Sequence, residues 1–263
     1  MTETCFVEST DHTRIAYEVA GNGPAIVLLH GGFIQDRRCW HEAGYVERLS
    51  KEYKVIAVDF RGHGESDHPV TPEAYAPDRF IEDIKAVVED CNVRRFYVWG
   101  YSLGGTIGLQ IASRVKETKA AILVGVGFGT LFPADIAAKV MSRLEAVEKA
   151  FAGGRFSEIE LSPIERDFHS KVGASGIPFL KAIYRALHAY PPVEPAELLC
   201  PTLMVAGTEN QACASNLMQH EADIRAAGVR TQFLKGLDHA KELSEIDTVL
   251  PQCLSFLHGL QFR

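Results

Sequence analysis

The sequence of 263 residues lacks any apolar run that approaches the roughly 20 residues needed to span a bilayer. Its first residues, Met1 to Glu8, also lack the basic start and the apolar stretch of a secretory signal. Together these absences predict a cytoplasmic protein without a membrane span.

Basic residues are in the minority. Lys and Arg number 27 against 34 Asp and Glu, the formal net charge is −7, and neither sign forms a long run. Because clustered basic side chains are what bind a phosphate backbone, this balance argues against a nucleic-acid partner.

Cysteines are few and scattered. None of the six is paired with another at the spacing of metal ligands, and a chain of this length does not need a disulfide framework. We therefore expect reduced, mostly buried thiols. The hydrophobic fraction of 46% is ample for a sizeable core, so a globular protein is the starting prediction.

Short apolar runs alternate with helical stretches along most of the chain. The runs lie at 5–8, 14–19, 25–29, 55–58, 96–99, 121–124, 202–205 and 231–234. Between Asp78 and Asp90, for example, the apolar residues share one face of a 3.6-residue period. Such alternation predicts an α/β fold with a mainly parallel sheet and helices on both faces.

One region interrupts the alternation. Residues 128–197 contain no clear strand, whereas Asp135 to Ala150 and Phe179 to Ala189 have helical patterns. This predicts a helical insertion between the two parts of a core formed by residues 1–127 and 198–263.

The strongest local motif is Gly100-Tyr101-Ser102-Leu103-Gly104, directly after the predicted strand 96–99 and before a helix. A sharp turn between strand and helix strains the serine backbone and lifts its hydroxyl above the edge of the sheet. Only glycine, two residues to either side, avoids a clash there. Ser102 is therefore the candidate nucleophile.

A serine hydroxyl needs a base to take its proton. Among the ten histidines, His239 lies between the last predicted strand and the last helix, at the same edge of the sheet as Ser102. It is the candidate base. His30, at the end of a strand, is interpreted as a structural residue that shapes a turn.

Two further segments adjoin the predicted site. His30-Gly31-Gly32-Phe33 follows the strand 25–29, and the backbone amides of Gly32 and Leu103 are the candidate donors to an oxyanion. Phe33 and Tyr101 complete the predicted oxyanion and substrate-binding set.

These segments together resemble the alpha/beta-hydrolase fold family. The His-Gly-Gly turn, the Asp-x-Arg-Gly-x-Gly-x-Ser turn from Asp59 to Ser66, the Gly-x-Ser-x-Gly elbow and the late histidine occur in the family's order over nearly the whole chain. The resemblance implies an eight-stranded sheet, with residues 128–197 as a cap that bounds the substrate pocket. It also implies an acidic residue just after the seventh strand.

The expected acid position, in Gly207-Thr208-Glu209-Asn210, holds Asn210. An amide can orient an imidazole but cannot stabilise its cation. Four explanations stay open: Asn210 replaces the acid, naturally or by engineering; Glu209 supplies it; an acid comes from elsewhere; or the protein turns over slowly or only binds. The first is favoured and Glu209 is second. Asp238 and Asp135 are less suitably placed.

The predicted function is that of a serine hydrolase that cleaves a carboxylic ester, thioester or lactone through an acyl-enzyme on Ser102. Its partner is a small-molecule acyl substrate, and neither a metal nor an organic cofactor is needed. A carbon–carbon bond hydrolase with the same site, and a receptor-like ligand-binding member with vestigial turnover, are the alternatives. The oligomeric state is not predicted.

Overall fold

The computed structural model describes residues 3–32, 35–129, 134–161, 166, 169–170 and 173–261. Its strands are β1 (Cys5–Glu8), β2 (Arg14–Ala20), β3 (Ala25–Leu29), β4 (Lys54–Val58), β5 (Phe96–Tyr101), β6 (Thr118–Val124), β7 (Thr202–Gly207) and β8 (Arg230–Leu234). They form one sheet in the order β1-β2-β4-β3-β5-β6-β7-β8.

The sheet is mainly parallel, as predicted. Only β1 with β2, and β2 with β4, pair antiparallel, whereas the pairs from β4 to β8 are all parallel. Parallel strands need crossover connections, and the helices in those crossovers cover the sheet.

Both faces of the sheet are buried. In β3 every residue is buried, and successive side chains point to opposite sides: Val27 and Leu29 belong to one apolar cluster, Ile26 and Leu28 to another. Because side chains alternate along a strand, a run that is apolar throughout fits only a strand covered on both faces.

The helices are α1 (Arg38–Glu42), α2 (Tyr45–Leu49), α3 (Pro77–Asp90), α4 (Leu103–Arg114), α5 (Ala134–Ala152), α6 (Ile177–His188), α7 (Gln211–Gln219), α8 (Glu221–Ala226), α9 (Lys241–Ser244) and α10 (Ile246–Gln261). Helices α3 and α4 contribute Phe80 and Ile107 to the cluster on one face, while α1 and α10 contribute Trp40 and Leu250 to the other. The prediction of an α/β fold is thus confirmed.

The described residues between β6 and β7 form helices and turns but no strand. Here α5 and α6 share an apolar cluster that includes Val147, Leu180 and Ile183 and continues into the core beneath. That residues 128–197 act as a cap, distinct from a core of residues 1–127 and 198–263, stays a prediction.

All six cysteines are free thiols, and four of them are buried. Within the described ranges, no helix is both long enough and apolar enough to cross a bilayer.

The carboxyl ends of the central parallel strands meet at one edge of the sheet. Loops after β3, β5, β6, β7 and β8 leave the sheet at this edge, which is where ligands bind in open α/β folds.

Candidate active site

Ser102 occupies the turn between β5 and α4 in a strained conformation. Its φ of 55° and ψ of −114° are unfavourable for a residue that carries a side chain. The turn is fixed on both sides, because the Ser102 N–H donates to Val124 O at 2.9 Å and its carbonyl accepts from Thr106 N–H at 2.9 Å. These two hydrogen bonds hold the strained residue, and with it the hydroxyl, directly before helix α4.

The two glycines of the motif allow close contact of backbone with backbone. A Cβ on Gly100 would lie 2.1 Å from Gly104 O, and one on Gly104 would lie 1.9 Å from Leu29 O. Any side chain at either position would force helix α4 away from the sheet. This is the steric requirement that the sequence motif expresses.

His239 follows β8 and approaches Ser102. Its Nε2 lies 2.9 Å from Ser102 Oγ, which is hydrogen-bonding distance. The structure therefore brings the predicted nucleophile and the predicted base together, although they are 137 positions apart in the chain.

The other imidazole nitrogen faces a carboxylate that the sequence analysis did not consider. His239 Nδ1 lies 2.8 Å from Glu242 Oε2, and the Gly207 N–H donates to Glu242 Oε1 at 2.7 Å. Glu242 lies in the first turn of α9, and its side chain has no exposed surface. The available signal was its spacing: a residue three positions after His239, at a helix start, is within reach of the imidazole.

Asn210 also contacts this pair. Its Nδ2 lies 3.0 Å from each oxygen of Glu242 and 3.1 Å from His239 Nδ1, while its Oδ1 accepts a 3.4 Å hydrogen bond from Cys213 N–H. The favoured acid position is therefore beside the imidazole, but it presents an amide.

Glu209, the second choice for the acid, is in a different situation. Its side chain is 58% exposed and lies 3.9 Å from the Lys241 ammonium. The carboxylate that contacts His239 is that of Glu242, because Glu209 ends in solvent on the adjoining loop.

Gly125, the residue after β6, packs against His239 and Glu242. With a φ of +68° it favours glycine, and a Cβ there would lie 2.4 Å from Glu242 Oε2 and 2.8 Å from His239 Nδ1. Backbone thus packs directly against the imidazole and the carboxylate, leaving no room for another side chain.

The two residues whose amides are the predicted oxyanion donors lie next to each other. A Cβ on Gly32 would be 3.2 to 3.3 Å from side-chain atoms of Leu103, and both residues line the same cavity as Ser102. Leu103 begins α4, so its N–H has no partner within the helix. Phe33, the remaining predicted contact of this loop, lies outside the described residues.

Tyr101 lines the cavity but also contacts the base. Its hydroxyl donates to His239 O at 2.7 Å, and its ring stacks on the imidazole with centroids 5.0 Å apart. Burial raises the pKa of Tyr101, which keeps the phenol protonated and able to donate.

A cavity of about 690 Å³ opens above Ser102. Its apolar wall consists of Val126, Phe128, Leu180, Ile183, Tyr184 and Leu187. No Lys, Arg, Asp or Glu lines it among the residues that the structure describes. In the same described ranges no three potential metal ligands converge.

Buried polar residues hold the loops around the cavity. The Nδ1–H of His30 donates to Gly31 O, and its Nε2 accepts from Phe60 N–H at 3.0 Å. Burial lowers the pKa of His30 to about 4, so the ring is neutral and can serve both as donor and as acceptor. These contacts agree with the structural role interpreted for His30.

Residues 26–247, from the second residue of β3 into α10, match the model of the alpha/beta hydrolase family. The matched segment includes every strand of the parallel part of the sheet and all of the residues around Ser102 and His239.

Matches to curated proteins are shorter. Over 122 residues the chain is 34% identical to mouse epoxide hydrolase 4, covering 46% of this chain and 33% of that protein. Over 122 residues it is 27% identical to a putative 2-succinyl-6-hydroxy-2,4-cyclohexadiene-1-carboxylate synthase of Bacillus subtilis, covering 45% and 43%. The match thus spans less than half the length of these curated relatives.

Solved structures match over nearly the whole chain. A hydrolase from Pseudomonas aeruginosa PA01 has a TM-score of 0.78 at 23% identity, covering 97% of this chain and 98% of that one. An esterase from Exiguobacterium antarcticum has 0.77 at 23%, covering 97% and 100%. The enol-lactonase from Burkholderia xenovorans LB400 has 0.73 at 19%, also covering 97% and 100%. At these identities the likeness establishes the fold and leaves the substrate open.

Proposed function

Since the chain belongs to the alpha/beta hydrolase family, we propose that it is a serine hydrolase that cleaves a carboxylic ester, thioester or lactone. The observation that carries this proposal is the 2.9 Å contact between Ser102 Oγ and His239 Nε2. A strained serine with a base at hydrogen-bonding distance is the arrangement that acyl transfer requires.

The reaction proceeds in two steps. Ser102 Oγ attacks the substrate carbonyl while His239 Nε2 takes the hydroxyl proton, and the same nitrogen then gives the proton to the departing alcohol, thiol or ring oxygen. Water next attacks the acyl-enzyme while His239 Nε2 takes its proton, and the same nitrogen returns that proton to Ser102 Oγ as the acid is released. The backbone amides of Gly32 and Leu103 are our candidates for stabilising the oxyanion in both steps.

The cavity favours an uncharged, moderately apolar substrate. Its wall between β6 and α6 is apolar, and the described lining residues include no cationic group to pair with a substrate carboxylate. The esterase and the enol-lactonase among the structural neighbours are compatible with such a substrate. A receptor without turnover would not need the contact between Ser102 and His239, and we therefore favour the enzyme.

Labelling with a fluorophosphonate probe tests the nucleophile without knowledge of the substrate. The folded wild-type protein is expected to be labelled at Ser102 and to hydrolyse p-nitrophenyl acetate or butyrate, whereas Ser102→Ala should do neither. Absence of both reactions in a wild-type protein with a normal circular dichroism spectrum would exclude the proposed function and favour a binding protein.

A further inference from the structure

The Glu242 carboxylate is buried among hydrogen-bond donors that suit an anion. Its side chain has no exposed surface, and its oxygens contact Gly207 N–H, Asn210 Nδ2 and His239 Nδ1 at 2.7 to 3.0 Å. A buried charge is tolerated when it is paired and fully hydrogen-bonded, which is the situation here. This full set of donors makes an ionised Glu242 compatible with the site.

The orientation of the Asn210 amide follows from its partners. Its oxygen accepts from Cys213 N–H at the start of α7, and its nitrogen faces both carboxylate oxygens. The flipped amide would set an oxygen against the carboxylate and NH₂ against an N–H, and both contacts would be repulsive. Asn210 is therefore a hydrogen-bond donor to Glu242.

The tautomer of His239 follows in turn. A carboxylate 2.8 Å from Nδ1 requires a proton on Nδ1, which leaves the lone pair of Nε2 directed at the Ser102 hydroxyl. An amide donating to Nδ1 without a carboxylate would select the opposite tautomer, which cannot accept the serine proton.

We propose that Glu242 is the residue that orients His239 and stabilises its cation, and that Asn210 positions Glu242. The proposal rests on the serine hydrolase function proposed for Ser102. It assigns the acid to helix α9, three residues after the base. The Asn210 amide, after β7, then has a positioning role and is not a replaced acid.

The effect of Asn210→Asp on activity distinguishes this proposal from the hypothesis that Asn210 replaces a catalytic acid. With Asn210→Asp, two carboxylates would lie about 3.0 Å apart, the present distance from Nδ2 to the Glu242 oxygens, so that one must take up a proton or move away. We expect at least tenfold slower labelling of Ser102 and slower ester hydrolysis. If Asn210 were a replaced acid, the same substitution would raise turnover by up to about ten-thousand-fold.

Glu242→Gln is the second variant. It keeps the size of the side chain and an acceptor for Gly207 N–H, but it removes the charge. We expect about a thousand-fold to ten-thousand-fold loss in kcat with little change in KM, because the lost interaction develops with the imidazolium in the transition state. Glu209→Gln is the matched control, since it removes a neighbouring exposed carboxylate, and it should retain wild-type rates.

The tautomer provides a readout that a merely structural role would not change. ¹⁵N-histidine NMR of Ser102→Ala should show His239 protonated at Nδ1, and adding Glu242→Gln should abolish this preference.

An unchanged His239 tautomer and an unchanged rate of Ser102 labelling in Glu242→Gln would overturn the proposal, as would a large gain in turnover in Asn210→Asp. If Glu242→Gln does not fold, the sign of the Asn210→Asp effect decides. If wild-type Ser102 is not labelled at all, the serine hydrolase function fails, while the NMR tautomer still reports on Glu242. The two failures are therefore distinguishable.

Discussion

The Tyr101 hydroxyl donates to the backbone carbonyl of His239 at 2.7 Å, and the tyrosine ring stacks on the imidazole at an angle of 24°. Tyr101 is the last residue of β5 and directly precedes Ser102, so one segment carries the nucleophile and also holds the loop of the base. Tyr101, which adjoins Ser102 in sequence and contacts His239, thereby helps to fix the distance between Ser102 Oγ and His239 Nε2.

Tyr101→Phe should weaken this control without removing the ring. The loss of one hydrogen bond, worth about 1 kcal/mol, is expected to lower kcat about fivefold, with KM nearly unchanged. Steady-state kinetics on a p-nitrophenyl ester measures the effect. Tyr53→Phe is the matched control, because the buried Tyr53 hydroxyl has no hydrogen-bond partner among the described residues. Equal rates for both variants would show that the Tyr101 hydroxyl does not position His239.

Gly104→Ala should destabilise the protein strongly. The added Cβ would lie 1.9 Å from Leu29 O, so the amino-terminal turn of α4 would have to move off β3. We expect a loss of about 3 kcal/mol or more in the free energy of unfolding. Gly259→Ala, in the exposed part of α10 where no described residue has an atom within 4 Å of the added Cβ, should instead stabilise by up to about 1 kcal/mol.

Urea denaturation followed by circular dichroism compares the two alanine variants. A Gly104→Ala protein with a wild-type midpoint would mean that α4 does not approach β3 as closely as the structure indicates. In that case the steric explanation of the Gly-x-Ser-x-Gly motif would fail as well.

The sequence predicted the features that depend on local rules. Strands such as β3 and β4 were recognisable because a strand buried on both faces must be apolar throughout. The Ser102 turn was recognisable because its steric demands fall on residues only two positions away. His239 could be placed because loops that follow parallel strands meet at one edge of the sheet.

The three-residue spacing of His239 and Glu242 permits their contact, but the local pattern does not require it. In Lys241-Glu242-Leu243-Ser244-Glu245 this residue has the appearance of a solvated helix start, yet its side chain is fully buried. Its burial depends on the end of β7, where Gly207 N–H faces the carboxylate, and on Gly125, which has no side chain to occupy the space. These are tertiary conditions contributed by distant parts of the chain.

Stability should fall in mild acid because of two buried histidines. Burial lowers the pKa of His30 to about 4 and that of His63 to about 3, against about 6.5 in the unfolded chain. Between those values the unfolded state binds protons that the folded state does not, so the stabilisation is complete above pH 6.5 and declines as the pH falls. Each histidine contributes a slope of about 1.4 kcal/mol per pH unit.

His63→Asn should remove one histidine's contribution, about 1.4 kcal/mol per pH unit, from the dependence of the unfolding free energy on pH between pH 6 and pH 4. Urea denaturation at each pH measures this dependence. The asparagine amide can still donate to Arg61 O, as His63 Nδ1 does at 3.2 Å. His12→Asn, which alters an exposed ring, should still lose stability as the pH falls. Identical slopes in wild type and His63→Asn would mean that His63 titrates normally in the folded protein.

Leu187 on α6 is the lining residue best suited to test which part of the substrate the cavity holds. It is half-buried at the apolar wall, so a change in its size alters the cavity more than the core beneath. Leu187→Trp should lower kcat/KM for p-nitrophenyl octanoate at least tenfold relative to the acetate, because the longer acyl chain loses its space. Leu187→Ala should shift the ratio of the two values in the opposite direction.

Arg185→Ala is the control for this series, since Arg185 is an exposed residue of the same helix and does not line the cavity. Its octanoate-to-acetate ratio should equal that of wild type. The octanoate-to-acetate ratio could instead be the same in all three variants while Ser102 remains reactive. In that case the acyl chain does not lie against Leu187, and the apolar wall under α6 binds the leaving group instead. A series of acetate esters with alcohols of increasing length would then show the dependence on Leu187 that the acyl series lacks.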